Sequence, residues 1–210
     1  NIYKYIYKMS ILNYIGSKKT LLDFIDNVIN KLTKNFENEN IRFLDGFAGS
    51  GIVGKYFNEK YDFIVYSNDL EYYSYIISYA LLKVQYTQKL ENKIIELNKL
   101  TKSKTKEYNL IKENYSEGGK EKRKFWSIEN SEKADAIIEN LKNDFNTKKI
   151  TNDEYVFLLA SLVSAFDKVA NTASVYGAYL KKYKIDPNDS LILENILKKN
   201  QIEIAFFYGW

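Results

Sequence analysis

Apolar positions in the first third of the chain change their spacing several times. In "NYIGSKKTLLDFIDNVINKL", Leu21, Leu22, Phe24, Ile25, Val28, Ile29 and Leu32 recur at helical spacing behind a Gly-Ser start, with Ser17 as the expected N-cap. "IRFLD" is a short apolar run and predicts a buried strand. "IVGKYFN" starts a second helix, and "DFIVYSND" is a second strand. "LEYYSYIISYALLKV" is a third helix whose aromatic face is most simply core. Helix, strand, loop, helix, strand, helix is the opening of a parallel α/β sheet.

Beyond Leu82 the pattern changes. From Gln88 to about Glu113 the chain is polar, rich in Lys and Glu, and weakly helical, until "SEGGKEKRKFW" breaks it with paired glycines and a basic-aromatic cluster. "SEKADAIIENLKNDF" predicts a helix. "TNDEYVFLLASLVSAFDKVA" predicts another, opened by Thr151 and Glu154 at capping-box spacing. "NTASVYGAYLKKYKIDPND" is loop-like, "LILENILKK" predicts a short helix, and "IEIAFFY" a last strand. No internal repeat is visible.

The 210 residues suit one domain with an inserted lobe. Absence of Cys excludes disulfides and thiolate metal sites, and absence of His removes imidazole ligands and the commonest general base. Zinc-hydrolase and Ser-His-Asp chemistry are thereby excluded, and no metal site is expected. No apolar run approaches the roughly 18 residues of a membrane span, and "NIYKYIYK" lacks the apolar core of a signal peptide, so a cytoplasmic protein is expected. Abundant Lys, Asn, Ile and Tyr is the bias of AT-rich codons, so lysine content alone says little. Its distribution says more. Residues 1–82 hold 9 basic and 9 acidic side chains, 83–126 hold 12 and 6, and 127–210 hold 10 and 12. A basic segment between balanced flanks suits a phosphate-facing surface; the plainer account is a solvated helix.

The stretch "FLDGFAGSGIVG" carries the chemistry. An aspartate closing a strand, then a glycine turn into a helix, lets backbone approach a ligand and points free N–H groups at it. There is no Walker lysine. "GSGIVG" at 49–54 satisfies a dinucleotide pattern, with Asp69 at the expected distance for a ribose-binding acid, but Asp45 would sit against a pyrophosphate. Two acids, one before the glycines and one closing the next strand, suit a ligand with an ammonium group and a free ribose. S-adenosylmethionine has both and no phosphate.

At these residues the chain resembles the Dam-type adenine-specific DNA methyltransferases. Their methionine-binding "DxFxGSG" loop is matched by Asp45, Phe47, Gly49, Ser50 and Gly51, and their ribose-holding "ND" by Asn68 and Asp69. Their aromatic-x-Gly-Ser-Lys segment, which folds over the methionine end of the cofactor, is matched by "YIGSK": Tyr14, Gly16, Ser17 and Lys18. The resemblance implies a Rossmann-like S-adenosylmethionine-dependent fold. The cofactor-binding half would cover 10–82, a mainly helical DNA target-recognition region 83–200, and the start of a further strand 201–210. It further implies double-stranded DNA as partner and a place in restriction–modification. Lys120, Lys122, Arg123 and Lys124 are the expected phosphate contacts, and by analogy Asn171, Tyr176 and Lys181 the contacts of a DNA-binding loop. For the tyrosines of that loop, packing beneath it is the plainer account.

One expected part is missing. The family orients its target adenine with "DPPY" or a variant with two adjacent prolines. This chain has a single proline, Pro187, so "DPND" at 186–189 cannot be that motif and no catalytic residue is assigned. The expectation is a truncated or split enzyme, with residues 1–8 ahead of a start at Met9 and a complementary fragment as possible partner. The alternative is a non-catalytic module that binds DNA or a partner; a nicotinamide-type Rossmann domain rests on 49–54 alone.

Overall fold

The computed structural model describes residues 12, 16–36, 40–105, 108–173, 176–184, 186 and 188–197. Tyr14, Met9, Pro187 and the strand expected in "IEIAFFY" lie outside the described residues. The chain divides into two compact units, built chiefly from Gly16–Val84 and Gln85–Ile196.

The first unit begins with a 3₁₀ turn, Lys18–Leu21, whose N-cap Ser17 accepts a hydrogen bond from the Lys19 N–H. Helix α1 (Leu22–Thr33) follows, then β1 (Arg42–Asp45), α2 (Ile52–Tyr61), β2 (Ile64–Ser67) and α3 (Tyr72–Leu82). The strands pair in parallel with Arg42 opposite Ile64 and Asp45 opposite Ser67. Parallel strands need a crossover, and α2 is that crossover. It lays Ile52, Val53, Tyr56 and Phe57 on one face of the sheet, where Phe43, Val65, Phe63 and Leu22 complete a core. Phe57 stacks on Phe63 with centroids 5.7 Å apart.

Two expectations change here. The strands are not buried on both faces: Phe43 and Val65 face α2, whereas Leu44 (69% exposed) and Tyr66 (52%) stand on an open face. Nor is the aromatic face of α3 core. Ile76, Ile77 and Ala80 are buried, while Tyr72 and Tyr75 are exposed and stack along the helix, Tyr72 on Tyr75 at 5.9 Å. The tyrosines cover one another because a phenol tolerates a wet edge and isoleucine does not.

The second unit holds α4 (Gln88–Asn98), α5 (Leu110–Tyr115), α6 (Ile128–Asn146) and α7 (Asn152–Lys168). Side-chain oxygens of Thr87, Ser127 and Thr151 cap three of them, and Thr151 with Glu154 forms the expected capping box. A buried ion pair, Lys93 with Asp144, joins α4 to α6. The short helix expected in "LILENILKK" is not formed over its described part. Leu191 and Leu193 are buried and Ile192 exposed, an alternation of period two that suits extended chain. Two asparagines hold it there. Asn130 Oδ1 accepts from Leu191 N at 2.7 Å. Asn98 accepts from Leu193 N at 2.8 Å and donates to Leu193 O at 2.9 Å. Among the described residues no helix is long and apolar enough to cross a membrane.

Candidate functional site

The loops that follow β1 and β2 are bonded to each other. Asn68 N donates to Asp45 O at 2.8 Å, and Ala48 N to Asn68 O at 3.0 Å. The Asn68 amide donates to Gly46 O at 3.1 Å. Gly49 N donates to Asp69 Oδ2 at 2.8 Å, and Glu71 N to Asp69 Oδ1 at 3.0 Å. Asp45 and Asp69 thus stand at the carboxyl ends of adjacent parallel strands with the glycine turn between them, the place where open α/β sheets bind ligands.

Two glycines are required by contact. Gly51 caps α2 with φ 70°, and a Cβ there would lie 3.0 Å from Ser78 Oγ of α3. At Gly54 a Cβ would lie 2.9 Å from Val65 Cγ1 and 3.2 Å from Ser67 Oγ, so α2 seats on β2 only without a side chain.

Beside the turn lies a cleft of about 260 Å³, lined by Ala48, Asn68 and Asp69 at one end and by Tyr75, Ser78 and Tyr79 of α3 along its side. Four buried oxygens here have no hydrogen-bond partner: Asp45 Oδ2, Ser67 Oγ, Ser74 Oγ and Ser78 Oγ. Native interiors leave few such atoms, so each calls for a ligand group or an ordered water as partner. Burial raises the Asp45 pKa, opposed by the Gly54 and Phe47 N–H groups, while the Asp69 charge raises it further and the Lys18 charge lowers it. Asp69 is held low by the N–H groups of Glu71 and Gly49. The pair differs in kind: Asp69 is a fixed, partly exposed anion, and Asp45 a partly desolvated one.

Of the other residues expected at this site, Gly16 has φ 97° and its carbonyl accepts from Lys18 Nζ at 2.8 Å. Ser50 is buried under the turn, and Phe47 is 93% exposed on its outside. Ser78 and Tyr79 were not foreseen. Their signal is the small residue and phenol at i and i+1 on α3, which helical periodicity alone cannot distinguish from core.

The candidate DNA contacts lie in the second unit. Lys120 and Lys122 are exposed, the latter with φ 44°. Arg123 donates to Asn114 O at 3.3 Å, and Lys124 pairs with Glu117 at 2.8 Å. Lys181 is exposed. Asn171 is 1% exposed. Its amide donates to Lys124 O and Leu180 O, both at 2.9 Å, and its oxygen accepts from Lys184 N at 3.0 Å. It braces the loop from within. Tyr176 ends a stack, lying on Trp126 (5.9 Å), which lies on Phe166 (3.9 Å). Its hydroxyl donates to Asp167 at 2.7 Å, and burial with the Asp167 charge raises its pKa. Among the described residues no group of three metal-ligating side chains occurs.

The chain is 37% identical over 187 residues to the type II methyltransferase M.NlaIII of Neisseria lactamica, covering 89% of this chain and 54% of that protein. It is 40% identical over 177 residues to the type II methyltransferase M.CviAII of Paramecium bursaria Chlorella virus 1, covering 84% and 51%. It is 33% identical over 192 residues to the modification methylase StsI of Streptococcus sanguinis, covering 82% and 26%. The chain therefore spans about half the length, or less, of the curated relatives it matches. No solved structure matches it. A family model described as D12 class N6 adenine-specific DNA methyltransferase matches residues 14–207. With nearly the whole chain inside that match, it belongs to the D12 class N6 adenine-specific DNA methyltransferase family.

Proposed function

We propose that this chain forms the S-adenosylmethionine pocket and the DNA-recognition region of an adenine-specific DNA methyltransferase of a restriction–modification system, acting on duplex DNA in the cytoplasm. The first unit is then the opening half of a Rossmann-like sheet. The observation that carries the proposal is the buried Asp45 Oδ2 without a hydrogen-bond partner, in the same bonded pair of loops as Asp69, beside a cleft lined by further unpartnered hydroxyls. In this reading Asp69 accepts from the ribose hydroxyls, because a carboxylate already taking two N–H groups retains lone pairs for two more donors. Asp45 takes the amino-acid ammonium, with Lys18 beside it for the carboxylate. Gly49 and Gly51 let the backbone approach, and Tyr14, Gly16 and Ser17 belong to the same wall. Bound there, the cofactor supplies an electrophilic methyl group on a sulfonium.

Lys120, Lys122, Arg123, Lys124 and Lys181 face phosphate in this proposal. Asn171 positions its loop, and Tyr176 lends the outer ring of its stack. No residue of the chain is assigned to orient the target amine, since the single proline excludes a two-proline motif. A complementary fragment carrying that motif is the partner we propose beside DNA.

Calorimetric titration of the full chain with S-adenosylmethionine tests the pocket, with NAD as the competing ligand. The wild type is expected to bind S-adenosylmethionine, and Asp69→Ala to bind it with about 1–3 kcal/mol less free energy, the effect of leaving a polar partner unpaired. Equal affinity in both proteins, or preference for NAD, would overturn the assignment.

A further inference from the structure

We propose a second DNA-backbone contact, separate from the Lys120–Lys124 loop, formed by Lys102 and Lys104 where residues 99–105 cross the C-terminal half of α6. The inference rests on the reading of this chain as a DNA-binding protein. Acidic side chains on one stripe of α6 hold two pieces of chain: Glu132 and Asp135 the start of α5, and Glu139 the segment itself. Glu132 pairs with Lys112 at 2.6 Å. Asp135 accepts from the backbone N–H groups of Ile111 and Lys112, both at 3.0 Å. Glu139 accepts from Ser103 Oγ at 2.8 Å, Lys104 N at 2.9 Å and Thr105 Oγ1 at 3.0 Å.

Glu139 is therefore engaged by the segment, whose lysines remain exposed. Lys99, Lys102 and Lys104 are exposed, and among the described residues Lys102 makes no ion pair. A cleft of about 340 Å³ opens between the segment and the helix, lined by Lys102, Lys104, Tyr108, Asn140 and Asn143 among others. Its one carboxylate, Glu139, already accepts from three donors of the segment. Exposed ammonium groups, primary amides and an aromatic ring around a single, already engaged carboxylate fit a phosphodiester backbone. Asn140 Oδ1 is buried with no partner, an acceptor for a bridging water of the kind DNA interfaces hold.

The spacing gives the contact a place on the duplex. The Lys120–Lys124 loop leads into α6 at Ser127, and the new cations sit at Glu139, some dozen residues along. At about 1.5 Å per residue this is roughly 20 Å, or about six base pairs at about 3.4 Å each. The track of positive charge follows the central segment in which basic residues outnumber acidic ones by 12 to 6.

Fluorescence anisotropy with the full chain and a 24-base-pair duplex of mixed sequence, measured over a series of salt concentrations, tests the proposal. Lys102→Ala/Lys104→Ala should flatten the dependence of log K on log salt by about two, and so should Lys120→Ala/Lys122→Ala, with about four lost when the pairs are combined. Lys102→Arg/Lys104→Arg should keep the wild-type slope. An unchanged slope for the first pair, beside a flattened one for the second, overturns this inference and leaves the DNA reading standing. Absence of binding by the wild type, or slopes unmoved in every variant, overturns both. Acylation footprinting of the wild type needs no variant: DNA should shield Lys102 and Lys104 but not the exposed Lys31 and Lys34, and equal labelling with and without DNA overturns the contact.

Discussion

Lys55 lies in the first turn of α2, 1% exposed, with its ammonium against Glu59 Oε1. Burial draws its pKa down from 10.5 to about 8. The unfolded chain keeps that proton until about pH 10.4, so from pH 8 upward the unfolded state binds more protons and the fold gains stability as pH rises. Below pH 8 both states are protonated and the fold carries the whole desolvation cost. Lys55→Met should therefore be at least as stable as the wild type at pH 7, and the wild type should gain on it by on the order of 3 kcal/mol by pH 10.5. Urea melts of the two proteins at both values check this; parallel profiles would show the lysine to be solvated. Single residues divide into those legible in the chain and those not. Asp45 and Asp69 were legible because strand ends and glycine turns are local patterns, and β1 and β2 bring them together as expected. Lys55, Asn98 and Asn130 were not. A buried polar side chain is explained by its partner, and Asn130 finds Leu191 at a separation of 61 residues, which no local pattern encodes.

At the scale of elements, α2 and β2 show what the glycine pattern is for. A methyl group at position 54 meets Val65 at 2.9 Å and lies 3.8 Å from Asp45 Oδ2, so it pushes the helix off the strand beside the candidate site. Gly54→Ala is expected to lose about 1–3 kcal/mol of stability, the usual cost of overpacking, and thermal melts will show it. A melting temperature unchanged from wild type would mean the helix seats more loosely than its contacts require. Helix existence was legible from periodicity and caps, as the Thr151 capping box shows. Faces were less so. The tyrosines of α3 follow helical spacing as faithfully as isoleucines do, and only packing decides which of them meets the core. Residues 191–193 misled for the opposite reason: three successive aliphatic residues suit either period, and the asparagines of α4 and α6 select the extended one.

At the scale of the whole chain, the proline count bears on what these 210 residues can do alone. An exocyclic amine is a weak nucleophile and must be oriented at the methyl group, an effect that can reach about 7–11 kcal/mol of barrier. With one proline in the chain, no acid-proline-proline-aromatic turn exists to do this. The chain alone is expected to retain cofactor affinity yet transfer no radiolabelled methyl group to duplex DNA, and a fragment bearing the motif is expected to restore transfer. Label in adenine from the chain alone, above an Asp45→Ala control, would refute the argument.

The sheet has one more consequence, and it belongs to handling rather than to chemistry. Among the described residues β1 and β2 pair only with each other, and Leu44, Ile64 and Tyr66 stand on the face away from α2. Apolar side chains exposed together on a sheet face attract other surfaces, so soluble yield, shelf life and light scattering are expected to improve when Leu44 and Tyr66 are made polar.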